Sequence, residues 1–554
     1  MKSKKLTQTG IQIENLSVSF GATEAVRNVN LEIGRGEILG VVGESGSGKS
    51  VTALTLMGLL AESGCVTSGR VVFDGTVLTE AGKPRDKALY RSFQGDRMSM
   101  VFQEPMTSLN PTKKVGAQVE EMLQLHTDLG REERRERVLE SLVSVGLKDA
   151  EQLYHCYPHQ LSGGMRQRVM IAMAVILHPD LIVADEPTTA LDVTIQNQII
   201  TLLREINKRE NNAMLFITHD LNLAGRICSR IAVMKDGRVV ECGPAREILE
   251  HPAEEYTRRL VQAVPSRMKP KRGSRAVAES GSDAERGNGA GAENGNGAER
   301  ESRADIQPVL RVHDLNVYYK EGSNSLFGQR KRRCVVSGAD FALYRGETLG
   351  LVGESGCGKS SLSKAILGMN RNIEGQVEHF STRPQMIFQD PYGSLNPCKT
   401  VEWLLQEPLR AAGRLDPARR LSEADMRTAV RDMLYKVGLD ERYLQRRPSQ
   451  LSGGQRQRIS IGQALITKPG LVIADEPVSA LDVTLQAQIM ELMRRLQEEM
   501  GVAYLFISHD INVVYQMSDR IMVMKDGRII EQGRTEEVFR SPQEEYTRLL
   551  LRES

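Results

Sequence analysis

Gly43-Glu44-Ser45-Gly46-Ser47-Gly48-Lys49-Ser50 and Gly353-Glu354-Ser355-Gly356-Cys357-Gly358-Lys359-Ser360 are the same eight-position pattern, written twice in one chain of 554 residues. Both fit G-x-x-x-x-G-K-[ST], in which glycines let backbone N–H groups close around phosphate oxygens. Each copy lies between a short apolar run (residues 38–42 and 349–352) and a stretch with helical patterning. Phosphates held there would meet the positive end of a helix. One such match arises by chance. Two, each followed by the same later motifs, describe a duplicated nucleotide-binding unit.

The bulk properties set limits on what surrounds those loops. A chain of 554 residues is long enough for two or more domains, each burying its own core. Lys plus Arg number 73 against 71 Asp plus Glu, so the overall charge marks neither a nucleic-acid binder nor a membrane-surface binder. The basic run Arg330-Lys331-Arg332-Arg333 reads as a solvated loop. Seven cysteines without C-x-x-C spacing fit a reducing compartment. Met1-Lys2-Ser3-Lys4-Lys5 leads into polar residues, so no signal peptide is expected, and no apolar run is long enough to span a membrane. Any membrane-spanning part must come from other chains.

Self-comparison divides the chain into residues 1–265, a connecting segment 266–306, and residues 307–554. The connecting segment is rich in Gly, Ala, Asn, Glu and Arg and nearly devoid of large apolar residues, which predicts a flexible tether. As a random coil, about 40 residues span roughly 35 Å. Within each half, four-residue apolar runs (181–184 and 214–217; 471–474 and 504–507) alternate with helical patterns, predicting buried parallel strands of an α/β sheet. The halves differ in one place. Lys49 to Gln103 takes 54 residues and Lys359 to Gln389 only 30, so the second half is expected to lack a peripheral strand and loop.

Hydrolysis of a nucleoside triphosphate needs a phosphate cradle, a cation, magnesium ligands and a positioned water. Lys49 and Lys359 bring charge to the β- and γ-phosphates, and Ser50 and Ser360 offer hydroxyl oxygens to Mg²⁺. Downstream, Leu181-Ile182-Val183-Ala184-Asp185-Glu186 and Leu471-Val472-Ile473-Ala474-Asp475-Glu476 read as buried strands ending in two acids. Asp185 and Asp475 are then placed near the metal, and Glu186 and Glu476 are left to polarise water.

Leu161-Ser162-Gly163-Gly164-Met165 and Leu451-Ser452-Gly453-Gly454-Gln455 each precede a helix and one of these acid-ended strands. In this they resemble the signature sequence of ATP-binding cassette (ABC) ATPases, and the resemblance covers nearly the whole chain outside 266–306. It implies two P-loop NTPase domains in tandem, each with a RecA-like core and a helical subdomain. By the same resemblance Gln103 and Gln389 look like the Q-loop glutamines, which also approach Mg²⁺. Ala190-Leu191-Asp192 and Ala480-Leu481-Asp482 look like the D-loops, and His219 and His509 like the switch histidines. Phe20 and Tyr319 stand where the family stacks an aromatic ring on adenine. The family pattern further implies that Ser162, Gly163 and Gly164 cap the γ-phosphate held by the second half, and Ser452, Gly453 and Gly454 that held by the first. Two composite, hydrolytically competent sites in one intramolecular cassette dimer follow. Met165 departs from the usual glutamine and is read as neutral. Cys357, where Ser47 stands in the first loop, is read as a small side chain in a variable slot, or as a thiol whose modification blocks ATP.

Glu104-Pro105-Met106-Thr107-Ser108-Leu109-Asn110-Pro111 and Asp390-Pro391-Tyr392-Gly393-Ser394-Leu395-Asn396-Pro397 follow the two glutamines. They are similar to the importer branch that takes up dipeptides, oligopeptides and nickel. The half-ending segments around Tyr256-Thr257 and Tyr546-Thr547 resemble the tail of that branch, with Glu-Glu where it usually has His-Pro. The branch implies two transmembrane permease subunits and an extracytoplasmic solute-binding protein as partners, at the cytoplasmic face of the membrane. No nucleic-acid partner is expected. No cysteine cluster follows the first half, so no iron–sulfur centre is expected either. Peptides rank first as solute, nickel or a metal chelate second, glutathione-like thiols third. The alternative is a soluble tandem ABC ATPase acting on ribosomes or DNA.

Overall fold

The computed structural model describes residues 9–103, 108–188, 191, 193–263, 307–320, 332–354, 356–479 and 481–553. The segment 266–306, Ser355 and three residues of the expected D-loops, Ala190, Asp192 and Ala480, lie outside them. The chain divides into two compact units, Met1–Val264 with Asp482–Leu485, and Pro265–Leu481 with Gln486–Ser554.

The first unit opens with β1 (Thr9–Phe20), β2 (Thr23–Gly34), β3 (Ile38–Val42), α1 (Lys49–Leu56), β4 (Gly64–Phe73), β5 (Thr76–Glu80), α2 (Lys87–Phe93) and β6 (Met98–Val101). Four helices follow: α3 (Val115–His126), α4 (Arg131–Ser144), α5 (Ala150–Tyr154) and α6 (Gly163–Val175). The unit closes with β7 (Leu181–Asp185), α7 (Val193–Glu210), β8 (Ala213–Thr218), α8 (Leu221–Ile227), β9 (Arg230–Lys235), β10 (Arg238–Pro244), α9 (Ala245–Glu250) and α10 (Glu255–Ala263). One sheet is antiparallel, in the order β2-β1-β4-β5. The other runs β10-β9-β3-β8-β7-β6, parallel except for β10.

Why β3 and β7 read as unbroken apolar runs is clear from where their residues go. Ile38 and Val42 enter the core shared with α3 to α9, while Leu39 and Val41 enter the core facing the antiparallel sheet. On β7, Ile182 and Ala184 take the first core and Leu181 and Val183 the second. Side chains alternate across a strand, so a strand covered on both faces must be apolar at every position. The order β3-β8-β7 then sets three strand ends side by side. The carboxyl ends of a parallel sheet are where ligands bind in α/β folds.

The second unit repeats this plan. It contains β11 (Leu310–Lys320), β12 (Arg332–Leu343), β13 (Thr348–Val352), α11 (Lys359–Ile366), β14 (Ile373–His379), β15 (Gln385–Ile387), α12 (Pro391–Ser394), α13 (Val401–Leu415), α14 (Glu423–Lys436) and α15 (Gly453–Leu465). Then come β16 (Leu471–Asp475), α16 (Val483–Met500), β17 (Ala503–Ser508), α17 (Ile511–Met517), β18 (Arg520–Lys525), β19 (Arg528–Arg534), α18 (Thr535–Arg540) and α19 (Glu545–Glu553). Its six-stranded sheet has the order β15-β16-β17-β13-β18-β19. Arg332 and Arg333, read from sequence as loop, are instead exposed residues opening β12.

The shortfall in the second unit is larger than a trimmed periphery. Its antiparallel sheet has three strands, β12-β11-β14, against four in the first. Among the described residues of the second unit, neither β5 nor α2 has a counterpart. In the first unit α2 buries Tyr90 to 2% exposure against Gly58, and the Tyr90 hydroxyl lies 2.9 Å from Thr79 Oγ1 and donates to the Thr55 carbonyl at 3.2 Å. The matching Gly368 has open space where a Cβ would stand. An insertion in one unit thus contributes core to that unit alone.

Candidate functional site

The phosphate loop follows β3 directly and ends at Gly48, whose φ of 99° opens α1 in the left-handed region that glycine tolerates. A Cβ at Gly43 would collide with the Met234 carbonyl, so that glycine is required by close approach. Lys49, 5% exposed, donates its Nζ to the carbonyls of Gly43 (2.7 Å) and Glu44 (2.8 Å). Burial lowers the lysine pKa, and the charges of Glu186 and Asp185 oppose that fall. The second loop is built alike. Gly358 has φ 113°, and Lys359 Nζ reaches the carbonyls of Gly353 at 2.6 Å and Glu354 at 2.8 Å. Ser45, Gly46 and Ser47 complete the first loop, and Gly356 and Cys357 the described part of the second.

The acids sit across from the loops. Ser50 Oγ donates to Asp185 Oδ1 at 3.1 Å, and Ser360 is hydrogen-bonded to Asp475. Burial raises both aspartate pKa values, and the neighbouring glutamate charge adds to the effect. A buried carboxylate beside a hydroxyl and a second carboxylate is an oxygen donor set suited to a hard divalent cation. The residues present therefore fit Mg²⁺.

Each glutamate is gripped from two sides. Gln103 Nε2 donates to Glu186 Oε2 at 2.9 Å, and His219 Nδ1 lies 3.3 Å from the same oxygen. In the second unit Gln389 and His509 make the same pair of contacts to Glu476 Oε2, at 2.8 and 3.2 Å. Burial disfavours the charged form of both histidines, yet the glutamate hydrogen bond and charge outweigh it and raise their pKa. At Glu476, burial pushes the pKa up, but His509 outweighs that and leaves it lowered. Glu186 and Glu476 hold φ of 45° and 48°, a left-handed conformation unusual for glutamate. Their amides donate at 2.9 Å to Ile217 and Ile507, so neighbouring strands enforce the bend. Strain of this kind persists where surrounding structure fixes a side chain for a task.

Ser162 and Ser452 cap α6 and α15, accepting from the amides of Met165 (3.3 Å) and Gln455 (3.4 Å). Gln455 Oε1 also accepts from the Ser452 amide at 2.9 Å, closing a capping box that Met165 lacks the atoms to make. Gly163, Gly164, Gly453 and Gly454 form the first turns. Of the aromatics, Phe20 packs into the core with its ring edge against Gly64, while Tyr319 is 40% exposed. Cys357 is 9% exposed and burial raises its thiol pKa, an environment that suppresses the reactive thiolate.

Two repeated features flank the site. The repeated Ser-Leu-Asn-Pro segments act as anchored turns: Leu109 and Leu395 are buried, and Asn110 and Asn396 accept at Oδ1 from the amides of Thr112 (2.9 Å) and Cys398 (3.0 Å). Tyr256 and Tyr546 also reach the phosphate loops, accepting from the amides of Glu44 (3.3 Å) and Glu354 (3.1 Å). Their recurrence at matching places in both halves was the available signal.

Known proteins match this arrangement along the chain. A family model for the ABC transporter matches residues 26–189 and 336–479, and one for the C-terminal region of oligopeptide/dipeptide transporters matches residues 240–292. A glutathione import ATP-binding protein, GsiA, of Pectobacterium atrosepticum is 42% identical over 98% of this chain and 89% of its own length. An uncharacterized ABC transporter ATP-binding protein, YejF, of Escherichia coli is 41% identical over 99% of both chains. A peptidoglycan transport ATP-binding protein of Agrobacterium fabrum is 39% identical over 98% of this chain and 96% of its own length. A solved archaeal ribosome recycling factor aligns with a TM-score of 0.58 over 96% of this chain and 91% of its own, but at 19% identity this is a likeness of fold alone. The chain belongs to the ABC transporter family, as a tandem-cassette ATP-binding protein of its oligopeptide/dipeptide transporter branch.

Proposed function

We propose that the chain is the ATPase of an importer, using ATP binding and hydrolysis in both cassettes to drive uptake of a peptide-type solute. The observation that carries this is the doubled convergence of a Q-loop glutamine and a switch histidine on one carboxylate oxygen, at Glu186 and at Glu476. In this reading Lys49 and Lys359 with their loops hold the phosphates. Mg²⁺ would be held by Ser50, Asp185 and Gln103, and by Ser360, Asp475 and Gln389, and supplies charge neutralisation at the phosphate oxygens. Glu186 and Glu476 accept a proton from the attacking water, while His219 and His509 orient them and face the γ-phosphate. Tyr319 is available to stack on adenine; Phe20 offers less of its face.

Ser162-Gly163-Gly164 and Ser452-Gly453-Gly454 each complete the site whose loop lies in the other half. Capped helix starts with free glycine amides suit an anion. Residues 1–265 and 307–554 serve as the cassettes and 266–306 as their connection. Two permease subunits and an external binding protein are the partners, at the cytoplasmic face of a membrane. In support, Phe388 and Tyr392 are exposed beside Gln389, next to a cleft of about 610 Å³ lined by Met369, Met386, Phe388 and Pro408. The relatives' roles in glutathione import and peptidoglycan transport point to small peptides as solute, chosen by the partners rather than by this chain.

Steady-state ATPase measurement tests the reading. Glu186→Gln or Glu476→Gln alone keeps measurable turnover. The double variant loses at least about 100-fold, the span of a positioned proton acceptor. A single variant with no turnover would show that the two sites are not equivalent.

A further inference from the structure

We infer that Tyr256 and Tyr546 are positioning residues of the nucleotide sites, through which the segment ending each cassette sets the affinity of its phosphate loop. This rests on the proposed reading of those loops as ATP sites. Tyr256 Oη accepts from the Glu44 amide at 3.3 Å, and Tyr546 Oη from the Glu354 amide at 3.1 Å. Each amide belongs to a peptide unit whose other end is the Gly43 or Gly353 carbonyl. Those carbonyls accept from Lys49 Nζ at 2.7 Å and Lys359 Nζ at 2.6 Å. A trans peptide is a rigid plane with its N–H and C=O on opposite sides. Tyrosine and lysine therefore hold one plane from its two ends. Its tilt is fixed only while both bonds stand.

The tyrosines are themselves held in place by a matching strap in each unit. Glu241 accepts from the amides of Ala253 (2.8 Å) and Glu254 (3.2 Å), just ahead of α10. Glu531 accepts from Gln543 and Glu544 at the same two distances ahead of α19. Thr257 and Thr547 are fully buried at the following position. Lys235 Nζ lies 4.9 Å from the Tyr256 ring centre, and Lys525 Nζ 4.8 Å from that of Tyr546. Burial pushes the Tyr256 hydroxyl up to about 12 and raises that of Tyr546, so both stay protonated and neutral in the working range. Of the Glu-Glu that stands in place of His-Pro, the first glutamate enters this geometry through its backbone amide, a donor that any residue but proline supplies.

A loop whose first peptide is held pre-set binds phosphate without first having to order itself. Tyr256→Phe with Tyr546→Phe keeps the ring, its packing and the lysine contact, and deletes only the hydroxyls. In the full chain, titration with a fluorescent ATP analogue should show affinity falling about fivefold, the worth of one hydrogen bond per loop. KM for ATP should rise alongside, with kcat changed less than about twofold and the melting temperature held. Unchanged affinity and KM in a variant of wild-type stability overturns the inference alone. A wild-type chain that binds no nucleotide overturns the inference together with the reading it rests on.

Discussion

Asp185 ends β7 at 6% exposure, in a place where its charge is costly without a cation. Burial raises its pKa, the charge of Glu186 adds to this, and the Ser50 bond and Lys49 only partly offset it. A carboxyl whose pKa is higher folded than unfolded makes the folded state the better proton binder. Stability is then greatest below the ordinary aspartate value and falls as pH rises through the raised one. At neutral pH the ionised side chain is a net cost to the nucleotide-free protein. Asp185→Asn should therefore stabilise that form, read as a higher melting temperature at neutral pH. The gain should shrink as pH is lowered toward the aspartate range, and the extra stabilisation by Mg-ATP expected of the wild type should be lost at that site. Thermal unfolding across pH, with and without Mg-ATP, reads all three. A destabilised Asp185→Asn at neutral pH would mean that the Ser50 bond outweighs burial.

At the scale of elements, α2 shows how much structure one short insertion adds. Tyr90 is 2% exposed, its ring covers Gly58, and its hydroxyl holds both β5, through Thr79, and α1, through Thr55. Tyr90→Ala should cost the first unit about 3–5 kcal/mol, the range for deleting a buried aromatic ring. Tyr90→Phe should cost about 1 kcal/mol, for the lost hydroxyl bonds. Differential scanning calorimetry should show the first unit's transition moving while the second's, with no counterpart of α2, stays in place. The 24-residue difference was countable from the sequence, but its weight in the core was not. A seven-residue helix is too short to display a 3.6-residue period, and Tyr90 is its one buried residue. The strands β3, β7 and β8 were legible because burial on both faces forces unbroken apolar runs, and their ends carried the site residues with them. Tyr256 and Tyr546 escaped assignment for the opposite reason. Their contact is to a backbone amide more than 190 positions away, and a backbone group leaves no mark in a sequence pattern.

For the molecule as a whole, the consequence of the doubled loop is concentration. If each phosphate loop needs the Ser-Gly-Gly turn of the other half, separate cassettes would have to meet in solution before either could hydrolyse ATP. A covalent connection of about 40 residues instead holds the effective concentration near the millimolar range. Assays run at about micromolar protein lie far below that, so turnover per chain should not change as the intact protein is diluted. A protease site placed within 266–306 provides the contrast. After cleavage, turnover per chain should match the intact protein at high concentration and fall on dilution, because the second half must now be found by diffusion. Measuring ATPase rate per chain over a hundredfold dilution, before and after cleavage, separates the alternatives. Dilution-sensitive turnover in the intact chain would mean that a second copy completes the sites. Cleaved protein that stays insensitive would mean that each half hydrolyses alone. Either result would break the link drawn between the tandem repeat and shared sites. Constant turnover lost only on cleavage would establish it, and would make one copy of this chain the full ATPase complement of a permease pair.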